Sequence, residues 1–157
     1  MRTSFRIALV AAVAGLAALA AVGHASARQA CTAGTQSSGG VTYRTFCGPA
    51  HATLKVGGKT LAFTTGSCQM SSSIFSINIG TITLPPGKPK YDYFGITVMA
   101  KKGGTYSNQS VTWQLPHGKA GSVVYATIKL AGNRKSGTFS GQVLGTSGKG
   151  TGSFSCG

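Results

Sequence analysis

The chain has 157 residues, with 15 lysines and arginines against a single acid, for a formal charge of +14. One carboxylate excludes glycoside hydrolysis by a pair of acids and a calcium cage built on acids. It leaves functions that use positive charge, such as attraction to anionic polymers, membranes or nucleic acid, and functions that use no charge at all.

Met1 to Arg6 carry two arginines, and Ile7 to Val22 form an apolar run of mostly Ala, Leu, Val and Gly. Small residues then stand at Ala25 and Ala27. A charged start, a short apolar segment and a small-residue cleavage pattern predict a secretory signal peptide over residues 1–27, cut near Ala27 and too short for a membrane span. Arg28-Gln29-Ala30 precede Cys31 in place of the aliphatic residue that lipid attachment favours three positions earlier. The expected product is secreted or associated with the cell envelope, and by size the remainder is one domain.

Cys31, Cys47, Cys68 and Cys156 all lie in the exported part, which predicts two disulfides. Three connectivities are open. Cys31–Cys47 with Cys68–Cys156 is preferred, the first tying the start of the mature chain to the first strand and the second spanning most of the domain. A zinc site would need closely spaced Cys/His pairs, which these cysteines do not form. No cofactor is expected. Leu, Ile, Val and Phe make up about a fifth of the exported part, near the ~20% level at which chains stay disordered, and glycine is more than twice its usual ~7%. The apolar residues nevertheless alternate, which predicts ordered strands around a thin core held by its disulfides.

Residues 28–40 read as an N-terminal loop, and 41–157 as a single β domain. Val41 to Cys47 alternates as a strand and Gly48-Pro49 breaks it. His51–Val56 and Lys59–Thr64 flank Gly57-Gly58, a two-residue hairpin that places Leu54, Val56, Leu61 and Phe63 on one face. Thr65-Gly66-Ser67 reads as a turn before Cys68. Phe75, Ile77 and Ile79 point inward, and Gly80 marks a bulge before Thr81–Leu84. Pro85 to Lys90 is a stiff basic loop. Strands follow at Tyr93–Met99 and at Ser110–Leu115, the latter with Val111, Trp113 and Leu115 inward, separated by a turn at Lys101–Gly104. After a turn at His117–Lys119, Val123–Leu130 is expected to place Val124, Ala126, Ile128 and Leu130 on one face, with Tyr125, Thr127 and Lys129 on the other. Gly132 to Gly137 turns the chain into a closing hairpin that ends at Cys156, with Phe139 and Phe154 inward. Roughly nine short strands and no helical period predict an all-β fold, an antiparallel β-sandwich or partly open barrel.

The cations concentrate in turns. Lys59, Lys88, Lys90, Lys101, Lys102, Lys119, Arg134, Lys135 and Lys149 are the candidate anion-binding residues. Hairpin turns collect at the ends of a sandwich, where several cations together attract anionic polymers or membranes. Lysine turns also serve solubility and edge protection. Tyr91 and Tyr93 beside Lys88 and Lys90 have the composition of a base-stacking patch, although export disfavours nucleic acid and tyrosines beside a strand commonly pack. A Ser/His/Asp triad would have to join Asp92 to His51 or His117, and no Gly-x-Ser-x-Gly elbow is present. Asn108-Gln109-Ser110 fits a glycosylation acceptor.

Gly66-Ser67-Cys68, Phe75-Ser-Ile-Asn-Ile-Gly80, Gly137-Thr-Phe-Ser-Gly141 and Gly152-Ser-Phe-Ser-Cys156 resemble the small mycobacterial lipoprotein antigens and related exported proteins of high-GC Gram-positive bacteria. The resemblance runs from about Leu61 to Cys156 and implies a β-rich envelope domain with a Cys68–Cys156 bond and no catalytic residues. This chain departs from that family in lacking a lipid-modified cysteine, in being far more basic, and in carrying the extra pair Cys31 and Cys47, so a membrane anchor is not carried over.

The leading functional reading is an exported, non-enzymatic β protein that associates with an anionic envelope polymer or membrane surface through its lysine-rich turns. A second reading is a structural or surface-display domain with incidental charge. A third is a hydrolase using His51 or His117.

Overall fold

The structure, a computed structural model, describes residues 31–157. The expected signal peptide at 1–27, its cleavage near Ala27, and residues 28–30 lie outside the described residues.

Ten strands follow one another: β1 (Gly34–Ser38), β2 (Val41–Phe46), β3 (Ala50–Val56), β4 (Lys59–Met70), β5 (Phe75–Thr83), β6 (Tyr93–Val98), β7 (Gly104–Leu115), β8 (Lys119–Leu130), β9 (Ser136–Val143) and β10 (Lys149–Ser155). Every ladder is antiparallel. The order β5-β4-β3-β10-β9-β8-β7-β6 returns to β5 through a β5–β6 ladder, so eight strands close a barrel. Closure removes the open edges that a sandwich would have to protect. β2 continues from the far part of β5, pairing Tyr43–Phe46 with Thr83–Gly80, and β1 adds to β2 as an outer ribbon.

The all-β antiparallel expectation holds, as does the preferred connectivity. Cys31–Cys47 closes a 16-residue interval beside the ribbon, and Cys68–Cys156 ties β4 to the end of β10 across 88 residues. β1 corrects the loop expected over 28–40. Gly39 and Gly40 take φ of 56° and 73°, the left-handed pair a two-residue hairpin needs, and the neighbouring disulfide holds the ribbon's open end. The turn expected at Thr65-Gly66-Ser67 is instead a bulge within β4. Thr65 takes φ 67°, and the β3–β4 register shifts between Ala50 and Ala52.

The core fills the barrel. Leu54, Phe75, Ile77, Ile79, Phe94, Ile96, Val98, Val111, Val123 and Ile128 are buried. Five phenyl rings interlock across it, with Phe63–Phe94, Phe75–Phe154 and Phe94–Phe139 centroids 5.4, 5.5 and 5.7 Å apart. Such pairs add ~0.5–1.5 kcal/mol each beyond area burial. A barrel filled this way is a scaffold, and ligand sites fall on its ends and outer wall.

One inward expectation is corrected. In β8 it is Val123 that is fully buried, while Val124 is half-buried. A bulge between Val124 and Thr127 changes the alternation. In β7 the inward expectation holds, with Val111 fully buried and Trp113 and Leu115 partly buried and packed against the core. Trp113 lies across Gly121, its partner on β8, where a Cβ would come 2.6 Å from the indole Cε2.

Candidate functional site

Antiparallel order alternates the turns between the two ends of the barrel. The β3–β4, β5–β6, β7–β8 and β9–β10 connections share one end, with Lys59, Lys88, Lys90, Lys119 and Lys149. The β4–β5, β6–β7 and β8–β9 connections share the other, with Lys101, Lys102, Arg134 and Lys135. The candidate cations therefore form two groups rather than one rim.

At the first end the β5–β6 loop is anchored in steps. The Gln114 side chain pairs with the backbone of Thr83 in both directions, Thr83 N–H donating to Oε1 at 2.9 Å and Nε2 donating to the Thr83 carbonyl at 3.1 Å. Thr83 is almost fully buried, and its hydroxyl accepts from Lys90 N–H at 3.2 Å. Gly118 N–H donates to the Pro89 carbonyl at 2.9 Å, locking the loop to the β7–β8 turn. His117 holds that turn with φ 65°. A cation in a rigid loop needs less ordering when it binds an anion than one on a free loop.

These bonds shape an open cleft of about 510 Å³ lined by Lys88, Lys90, Tyr91, His117, Pro89, Pro116 and Gly118. Lys88, Lys90 and His117 are exposed. Tyr91 is 42% exposed and leans on Tyr43 of β2, with ring centroids 5.5 Å apart. Two ammonium groups, an imidazole and a tyrosine lining one cleft suit an anion on a polymer with apolar faces.

Tyr93 does not join this surface. It is buried, and its hydroxyl donates to Asn78 Oδ1 at 2.7 Å. Burial raises its pKa above the ordinary phenol value, and the charge of Arg44 partly offsets the rise. Of the expected aromatic pair, only Tyr91 is available to a ligand.

At the second end Arg134 is engaged internally. It takes φ 57°, and its Nη1 donates to the carbonyls of Ser71 and Ala100, each at 2.9 Å. One guanidinium thus fastens the β4–β5, β6–β7 and β8–β9 turns together. Lys101, Lys102 and Lys135 beside it are exposed.

The histidines separate. His117 belongs to the first end. His51 lies near the start of β3 at the second, with Nδ1 3.3 Å from the Pro49 carbonyl. Asp92 opens toward the first end, where its backbone carbonyl accepts from Thr81 N–H at 2.8 Å. Among the described residues, no group of three or more His, Cys, Asp or Glu side chains is placed to hold a metal ion. The cleft was legible only as a basic loop, because the contact that closes it joins residues far apart in sequence. No family model, curated protein or solved structure matches the chain.

Proposed function

We propose that the protein is an exported, non-enzymatic binding protein that holds an anionic polymer of the cell envelope at the Lys88–Lys90 cleft. One observation carries this reading: Lys88, Lys90, Tyr91 and His117 converge on a single open cleft whose loops are braced by the Gln114–Thr83 and Gly118–Pro89 bonds. Residues 28–157 carry 13 lysines and arginines against the single acid Asp92, which supports it, because a field of that sign steers anions from a distance.

Retention of the purified protein on a polyanion column tests the proposal. Retention is expected to weaken with salt, and the double variant Lys88→Gln/Lys90→Gln is expected to elute clearly earlier than a control in which Lys101 and Lys102 are changed to glutamine. Equal elution of the two double variants would remove the cleft from the proposal. Retention on phosphatidylglycerol liposomes but not on polyanions would replace the polymer with a membrane surface.

The placement of Lys101, Lys102 and Lys135 at the opposite end favours a second reading, a structural or surface-display domain with charge spread for solubility. Salt-independent behaviour of the wild-type protein on both supports would select it.

A further inference from the structure

Among the described residues Tyr125 is the most exposed of the large hydrophobics, at 74%, and its backbone is left-handed with φ 50°. An aromatic residue in that region is unusual, and such strain persists only where the surroundings enforce it. Here the cause is the bulge in β8. Val124 pairs with Gln142 and Thr127 with Ser140, so Tyr125 and Ala126 together oppose Gly141. A Cβ on Gly141 would come 2.7 Å from the Val124 carbonyl oxygen and 2.8 Å from the Ala126 Cα, so this crowding requires glycine on β9. The bulge keeps Val123 and Ala126 fully buried while turning the tyrosine ring out to solvent.

The ring forms one wall of an open cleft of about 370 Å³ that also includes Ser140, Gln142, Ser147 and Lys149. Gln142 is held in place, because its Nε2 donates to the Thr146 carbonyl at 3.3 Å and leaves Oε1 as an acceptor. A second cleft of about 280 Å³ shares Ser140 and continues along the same two strands past Thr127 to Lys129. The result is a shallow track with one aromatic platform and a row of hydroxyl and amide groups.

We infer that this track is a glycan-binding site, with Tyr125 as the platform for a pyranose ring. Sugars present a face of polarised C–H bonds, which the negative face of an aromatic ring attracts, and an edge of hydroxyls, which amide and hydroxyl side chains bond. A protein partner fits less well, because the groups lining the cleft beside Tyr125 are polar, whereas the centre of a protein interface is apolar. The inference rests on different residues from the Lys88–Lys90 cleft and does not depend on its charge.

The test is titration of the protein with neutral oligosaccharides of N-acetylglucosamine, mannose and β-linked glucose, followed by NMR shifts. Salt near 1 M shortens the screening length to ~3 Å and silences binding by charge alone. At least one oligosaccharide is expected to shift the β8 and β9 amides. Tyr125→Ala is expected to weaken binding about tenfold or more, Tyr125→Phe to restore most of it, and Lys88→Gln/Lys90→Gln to bind as wild type. Tyr125→Gly, which suits the left-handed backbone, should lose binding with its melting temperature unchanged or raised. Absence of shifts with every oligosaccharide, equal binding by Tyr125→Ala, or a melting temperature lowered by several degrees in Tyr125→Gly would each overturn the inference.

Discussion

Phe154 lies over Gly137, the residue directly opposite it across the β9–β10 ladder, and a Cβ on Gly137 would come 2.5 Å from the Phe154 Cζ. The relation is reciprocal, since Phe139 lies over its own partner Gly152. Each phenyl ring covers the bare backbone that the opposite glycine provides, as aromatic residues do when they rescue glycines in strands. Gly137→Ala and Gly152→Ala should each cost about 3 kcal/mol or more, because the added Cβ meets a backbone carbonyl oxygen of Lys129 or Thr53 as well as the ring, and Phe154→Ala should cost about 3–5 kcal/mol through the cavity it leaves. Urea unfolding midpoints at constant slope measure all three.

The two disulfides should differ in both size and reach of effect. Replacing Cys68 and Cys156 by serine releases an 88-residue interval and is expected to cost about 4–5 kcal/mol. Replacing Cys31 and Cys47 releases only 16 residues and should cost about 3 kcal/mol at most. Hydrogen exchange separates them further. The second change should expose the amides of β1 and β2 and leave the barrel protected, while the first should raise exchange in β3, β4 and β10 together.

Arg134 should behave as a structural residue although it is a turn cation. Arg134→Met removes two charge-assisted bonds to the Ser71 and Ala100 carbonyls, and each is worth about 1.5–3 kcal/mol. Arg134→Lys should recover only part of that loss, since an ammonium on a flexible stem does not reproduce the guanidinium fork. Thermal unfolding of both variants checks this, alongside polyanion retention, which should change far less than stability.

Tyr93 gives the fold an alkaline limit. Its pKa is raised by burial, so the folded state keeps the phenol proton at pH values where the unfolded chain releases it. The stabilising contribution is complete below the ordinary value of 10.0 and is lost as pH rises from there through the folded value. Tyr93→Phe should lose the bond to Asn78, at about 0.5–1.5 kcal/mol near neutral pH. The deficit should shrink above pH ~10, as the wild-type phenol begins to ionise. Denaturant unfolding of the two proteins across that range shows whether the curves converge.

The strands with one apolar face were legible from alternation. Phe75, Ile77 and Ile79 are all fully buried as their spacing requires, and Gly57-Gly58 turns the hairpin it predicts. β1 was not legible, because Gly34-Thr-Gln-Ser-Ser has no apolar residue to set a period, and ladder bonds with a disulfide hold it instead. The β8 shift was hidden because both Val123 and Val124 are apolar, and the Tyr125 bulge alone decides which faces the core. Closure through β5 and β6 had no local signal, since both strands were predicted and only their pairing was not. For the candidate site, the basic loop was visible in Lys88 and Lys90. Its juxtaposition with His117 depends on the bond from Gly118 to Pro89, which no periodicity reports. Arg134 looked like its lysine neighbours because nothing in a turn sequence shows that a side chain folds back onto carbonyls.

β10 lies between β9 and β3, and Thr53 meets Ser153 across a separation of 100 residues. As the chain is synthesised from its N-terminus, β3 therefore cannot acquire its second neighbour until nearly a hundred further residues have been made. Until then Cys68 also lacks its partner Cys156. Barrel closure is thus deferred until synthesis is almost finished, and a chain broken before Lys149 would keep two raw strand edges, on β3 and β9, and a free thiol at Cys68.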